Sequence, residues 1–189
     1  MSAKLVGGPV YEPIGYLPNH RWSSDEWHWA VEAMHALTPT LDATGIDLAI
    51  ESVNRSETFF LTTAKEAAAL CEAVGHPRVG VTIDTFHANI GEKSIAGAIR
   101  LLGKHLKHVH PSENDRGLLG TGHVDFSGNV RALRDTSYSG YLMIEGFGYS
   151  EMEPISPGYL WADMDVSPED VAIEGAKYLV SVLRHTSGH

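Results

Sequence analysis

The sequence predicts an α/β fold built on a parallel sheet. Apolar strand-like runs alternate with helix signals along the chain, and four of those runs end in a residue able to bind a divalent cation: Glu51 after IDLAI, Asp84 after VGVTI, His110 after LKHV and Glu145 after YLMI. Parallel neighbours need long, usually helical, return connections, so the alternation implies βαβ crossovers. In an open sheet or a closed barrel, function collects beyond the carboxyl ends of the strands, where all four residues fall.

The elements follow in order. Leu5 to Val10 reads as a strand interrupted by Gly7 and Gly8. Ser23 to Glu26 is a capping box opening a helix that carries Trp27, Val31, Met34 and Leu41, with Pro39 as a candidate kink and a stop near Gly45. Ile46 to Ile50 is a strand, and Thr63 to Glu66 a second capping box whose helix ends at Gly75. Strands at Val79 to Ile83, Leu106 to Val109 and Tyr141 to Ile144 alternate with helices at Ser94 to Leu102 and Gly128 to Arg134. Ser167 and Pro168 suit the N-cap and first position of a last helix reaching about Arg184. This gives five parallel strands in a single domain over residues 1–189.

Composition narrows the function. A formal charge of −10 with scattered Lys and Arg argues against nucleic acid as a partner. No apolar run approaches the roughly 18 residues that cross a bilayer. The single cysteine, Cys71, cannot form an internal disulfide and reads as a small buried apolar residue; with no secretory signal in view, cytoplasm is the expected location. No G-x-G-x-x-G or G-x-x-x-x-G-K-S/T string is present, and Gly117, Gly120 and Gly122 read as a flexible loop after a strand.

Any one strand-terminal carboxylate would read as a helix cap or a solvated loop residue, but four candidate ligands in sequence order point to a shared ion. Three carboxylates and one imidazole suit Mn²⁺, the first choice, or Co²⁺ or Mg²⁺, better than a structural zinc site, which usually recruits thiolates. His108 lies two residues before His110 on the same face of its strand and is read as a packing partner, with ligation as the rival role. The remaining histidines, His76, His105, His123, His185 and His189, are read as surface or packing residues, and Trp22, Trp27 and Trp29 as helix packing. Trp161 falls in an irregular stretch from Tyr149 to Val166 that is expected to fold over the site or bury a subunit interface.

The strings IESVNRSE (50–57), IDTFHANI (83–90), HVHPSENDRG (108–117) and MIEGFG (143–148) resemble the ketose 3-epimerases, the D-tagatose and D-psicose 3-epimerase group of the xylose-isomerase-like TIM barrels. The resemblance runs from about Leu5 to Leu183, and the ligand spacings of 33 (51 to 84), 26 (84 to 110) and 35 (110 to 145) are those of the family. It implies a parallel (β/α) TIM-barrel fold and an isomerase that epimerises a ketose at C3 by deprotonation and reprotonation through a metal-bound enediolate. It assigns Glu51, Asp84, His110 and Glu145 to the metal, makes Glu51 and Glu145 the paired acid/base groups, and gives Glu57, His87 and Arg116 to substrate binding. A (β/α)₈ barrel takes ~250 residues, so the chain is expected to hold the C-terminal five strand-helix units, lacking the first three, and to self-associate as a homo-oligomer through its exposed edges. Ser56, where an aromatic is usual, and Pro111 depart from the family pattern and are expected to retune substrate fit. The alternatives are aldose–ketose (or hydroxypyruvate-type) isomerisation in the same superfamily, and a noncatalytic barrel remnant.

Overall fold

The protein is described by a computed structural model covering residues 3–147 and 166–186. The stretch 149–165 with Trp161, and His189, lie outside the described residues. Four strands, β1 (Leu5–Gly8), β2 (Asp47–Glu51), β3 (Val79–Asp84) and β4 (Leu106–His110), form a parallel sheet in that order. The register sets Glu51 beside Thr82 and Asp84 beside His110, so three of the candidate ligands finish their strands at one end.

The fifth predicted strand, Tyr141 to Ile144, is reduced to a single parallel bridge between Val109 and Leu142. The cause is Pro111. The N–H of Met143 donates to the Val109 carbonyl (3.0 Å) and the N–H of Glu145 to the Pro111 carbonyl (3.1 Å). Between them a parallel ladder needs an N–H at residue 111, which proline lacks. The segment therefore follows β4 closely enough to deliver Glu145, without a full set of ladder bonds.

Helices pack on one face of the sheet. α1 (Ser24–Thr44) and α2 (Ala64–Val74) open on complete capping boxes, Ser23/Glu26 and Thr63/Glu66, and both close on left-handed glycines, Gly45 and Gly75. α1 continues through Pro39. The His35 carbonyl that Pro39 leaves without a helical partner is taken by the Thr38 hydroxyl at 2.9 Å. α4 (Ile95–Leu102) and α5 (Phe126–Asp135) follow as expected, and α6 (Pro168–His185) carries Pro168 in its first turn behind the Ser167 cap. α3 (Thr85–Gly91) is an addition to the expected elements: it starts directly at the end of β3, with Asp84 as its N-cap.

The two sheet faces differ in residue size. Leu48, Ile50, Val79, Val81 and Ile83 join Leu61, Leu70, Ile99 and Leu102 in the core beneath the helices. The opposite face alternates through Gly7, Ala49, Gly80 and Thr82. These small side chains let the strands curl tightly, giving a partial barrel. A Cβ on Gly80 would stand 2.5 Å from the His105 carbonyl oxygen and 2.6 Å from Lys107 Cγ. Cys71 is buried in α2 as expected, and Trp27 packs against the core. Trp22 and Trp29 do not belong to the core: Trp22 stacks on Trp27 (5.2 Å between ring centres), and Trp29 is 62% exposed.

Candidate metal centre

The small-residue face is the one that carries Glu51, Asp84 and His110, two residues on from Ala49, Thr82 and His108. One ligand atom from each of Glu51, Asp84, His110 and Glu145 lies within 4.8 Å of those of the other three. His110 Nδ1 is 3.0 Å from Glu145 Oε2 and 3.4 Å from Glu51 Oε1. Yet this buried nitrogen makes no aligned hydrogen bond. An imidazole nitrogen surrounded by carboxylate oxygens that are out of line with it fits a divalent cation shared among them, and the O₃N donor set suits hard or borderline ions.

Crowded negative charge shows in the titration of the cluster. Burial pushes Asp84 well above the usual carboxylate range; Arg116 opposes this, and the neighbouring Glu145 and Glu51 reinforce it. Burial would lower His110, but the carboxylates of Glu145 and Glu51 outweigh it and raise the imidazole to about 10. Burial would raise Glu145, but His110, Asp84 and Arg116 hold it down at about 2. The group thus offsets its repulsion by gathering protons on Asp84 and His110, sites a bound cation would take over.

The other three predicted residues join the same cluster. Arg116 Nη1 donates to Asp84 Oδ2 at 2.6 Å and to Ser112 Oγ at 3.2 Å, and stands 3.3 Å from Glu145 Oε2. Its guanidinium lies over the rings of Phe86 (4.1 Å) and Phe147 (4.9 Å). Arg116 Nη2 is 2.9 Å from His87 Nε2. His87 Nδ1 is 4.0 Å from Glu57 Oε1. Burial, followed by the charge of Arg116, lowers His87 to about 3, so its ring is neutral. Asp84 Oδ1 meanwhile accepts the N–H of Phe86 at 2.7 Å, which starts α3.

Several residues absent from the sequence reading hold this arrangement. Asn54, 2% exposed, joins Glu57 to His87. Its place at the head of an N-R-S-E turn, where its Oδ1 accepts the Ser56 N–H (2.9 Å), is a local signal that could have identified it. Glu113, fully buried, accepts backbone N–H groups of the loop after β4; a carboxylate among loop polar residues carried no such signal. His108 packs its ring edge-on to His110 at 4.8 Å, as a packing partner would.

Comparison with known proteins gives the family. The family model of the xylose isomerase-like TIM barrel matches residues 3–182. The chain is 30% identical to a D-psicose 3-epimerase of Ruminiclostridium cellulolyticum, over 98% of this chain and 67% of the relative. It is 31% identical to a probable ketose 3-epimerase of Synechocystis, over 92% of this chain and 61% of the relative. The crystal structure of a D-allulose 3-epimerase from Methylomonas in complex with D-allulose superposes with a TM-score of 0.86 at 30% identity, covering 94% of this chain and 62% of that one. The chain therefore spans between about three-fifths and two-thirds of the length of these relatives. A family match over nearly the whole chain, a curled parallel sheet and carboxylates gathered at its strand ends lead to one assignment: the chain belongs to the xylose isomerase-like TIM barrel family, on its ketose 3-epimerase branch.

Proposed function

We propose that this chain carries the cation-binding and proton-transfer groups of a ketose 3-epimerase. The observation that carries the reading is the convergence of the Glu51, Asp84, His110 and Glu145 ligand atoms within 4.8 Å at the strand ends. The printed names of the relatives, D-psicose and ketose 3-epimerases, support the reaction class. Those four residues would hold Mn²⁺, or Co²⁺ or Mg²⁺. The ion, when bound, supplies Lewis-acid polarisation of the ketose carbonyl, which acidifies the adjacent C–H.

The proposed division of labour among the side chains follows from inversion at C3. The proton must leave one face of that carbon and return to the other, so two acid/base groups are needed. Glu51, at the end of β2, and Glu145, on the segment bridged to β4, both in reach of His110, are the pair. Glu145 is held ionised by His110, Asp84 and Arg116, the form that a general base must take before it receives a proton. Arg116 and His87 place N–H groups beside these carboxylates, where a sugar oxygen would acquire negative charge, and Glu57 accepts from a hydroxyl.

The test is to incubate the protein with Mn²⁺ and D-fructose, D-tagatose or D-psicose and resolve the products by chromatography. C3 epimers are expected, with their formation abolished in Glu145→Gln. An aldose as the only product would replace this reading by aldose–ketose isomerisation, and no turnover of any ketose by a folded, Mn²⁺-loaded protein would replace it by the noncatalytic one.

Self-association and a cytoplasmic location belong to the same proposal. Among the described residues β1 ends the sheet and its Val6 is 49% exposed, and Tyr16 and Leu17 further along the chain are 55% and 49% exposed. Light scattering is expected to report an oligomer, and a monomer at all concentrations would reject it. No described helix is long and apolar enough to cross a membrane.

A further inference from the structure

The hydrogen-bond partners of His87 are inconsistent with a simple pairing to Arg116. The backbone N–H of Asn54 donates to His87 Nδ1 at 3.1 Å, and Asn54 Nδ2 approaches the same nitrogen at 3.0 Å. The amide cannot be turned over to present oxygen instead. Its Nδ2 donates to Glu57 Oε1 at 2.7 Å and its Oδ1 accepts from the Ser56 N–H at 2.9 Å, and both bonds would become clashes. On the other side, His87 Nε2 stands 2.9 Å from Arg116 Nη2, and a guanidinium only donates.

A neutral imidazole has one lone pair and one N–H, so it cannot accept on both nitrogens. With the proton on Nδ1, that N–H would oppose two donors, one of them a backbone N–H fixed in the turn by bonds from Glu57 N (2.9 Å) and Thr58 N (3.2 Å) to the Asn54 carbonyl. With the proton on Nε2, only the Arg116 contact is a donor facing a donor. The second arrangement has fewer conflicts, and it leaves two N–H groups converging with no acceptor between them among the described residues. The remaining Arg116 partners, Asp84, Ser112 and Glu145, are all reached through Nη1, leaving Nη2 for this contact.

We propose that Asn54 is a positioning residue that fixes His87 as the Nε2–H tautomer, so that His87 Nε2–H and Arg116 Nη2–H together receive one acceptor oxygen of the substrate, a hydroxyl or developing oxyanion beside the acid/base glutamates. The inference rests on the ketose reading for the identity of that oxygen; the tautomer does not. The low basicity of His87, caused first by burial and then by Arg116, keeps the ring neutral over the working range, which the tautomer argument needs.

The test uses the ¹⁵N-histidine-labelled protein and long-range ¹H–¹⁵N correlation spectra, with His87 identified by its loss in His87→Gln. A neutral Nε2–H ring from pH 5 to 8 is expected. An Nδ1–H ring overturns the proposal outright, with no variant needed. Asn54→Asp replaces the Nδ2 donor by an acceptor oxygen and is expected to draw protonation towards Nδ1, with kcat/KM on the ketose lowered at least tenfold; the new oxygen also faces Glu57 Oε1, so the thermal melt falls as well and the His87 spectrum is the deciding readout. An unaltered His87 spectrum in a folded Asn54→Asp protein would overturn the positioning role of the Asn54 side chain. Should the wild type turn over no ketose, the epimerase reading fails while the spectra still decide the tautomer.

Discussion

Replacing Glu113 by Gln tests whether a fully buried carboxylate is what shapes the loop that presents Arg116. Glu113 Oε1 accepts the N–H groups of Asn114 and Val124, both at 3.0 Å, and Oε2 accepts that of Gly120 at 2.9 Å. Its own carbonyl accepts the Arg116 N–H at 3.0 Å, so the side chain that ties the loop is one turn from the guanidinium in the site. In Glu113→Gln one oxygen becomes an NH₂ group pointed at a backbone N–H, and the two surviving bonds lose their charge assistance. With hydrogen bonds to charged groups contributing ~1.5–3 kcal/mol each, losing one and weakening two is expected to cost about 3 kcal/mol. For a chain of this size that lowers Tm by ~6–12 °C. Differential scanning calorimetry reads the shift, and hydrogen exchange at Gly120 and Val124 should accelerate with it. The opposing force is desolvation: a buried charge whose bonds are worth less than its lost hydration is replaced at no cost or with a gain. An unchanged or raised Tm in Glu113→Gln would therefore refute the account of this loop.

Four further outcomes are expected. Arg116→Ala removes the 2.6 Å partner of Asp84, which then holds its proton more firmly, and should cost ~1–3 kcal/mol in urea unfolding; Arg116→Gly should cost ~1 kcal/mol less, because residue 116 sits at φ 68°, where a Cβ is strained. His87, at about 3 when folded against an ordinary 6.5, stays neutral while the unfolded chain takes up a proton, so its contribution is intact above pH 6.5 and stability falls as pH drops from there towards 3. Urea midpoints across that window should slope downward at low pH, and less steeply in His87→Gln; equal slopes would refute the assignment. Asp84→Asn should lower Mn²⁺ affinity by at least ~10-fold in calorimetric titration, ligand loss being no milder than loss of a supporting contact, and equal affinities would exclude Asp84 as a ligand. Gly80→Ala pushes a Cβ onto the His105 carbonyl and should destabilise by several kcal/mol, of order ~3; a wild-type melt would show that the strand yields there.

How much of this was legible in the sequence depends on how local the cause is. The caps of α1, α2 and α6 are decided within four residues, and Ser23/Glu26, Thr63/Glu66 and Ser167/Pro168 gave their positions directly. The four candidate ligands were legible because each ends an apolar run. α3 was not, since a helix that begins on the last residue of a strand leaves no loop to announce it, and the four ligand candidates in sequence order outweigh the helix-cap reading of Asp84. The fifth strand is overestimated because YLMI has strand composition, while the missing N–H lies at Pro111, just past the end of β4. Pro111 had been read as a modifier of substrate fit; in the structure it acts on the ladder. Asn54 and Glu113 act through partners 33 and 11 positions away, His87 and Val124, and such pairings are set by tertiary folding alone.

The direct passage from β3 into α3 gives Asp84 three simultaneous attachments: to its strand, to the N–H of Phe86 at the head of a helix, and to the Arg116 guanidinium. A side chain so tethered cannot swing aside to admit a larger guest or to accommodate an ion of different radius. Change at this centre should therefore be sought on the Glu145 side, where the segment follows β4 without a full set of ladder bonds, while the β3 end behaves as the fixed datum against which everything else is set.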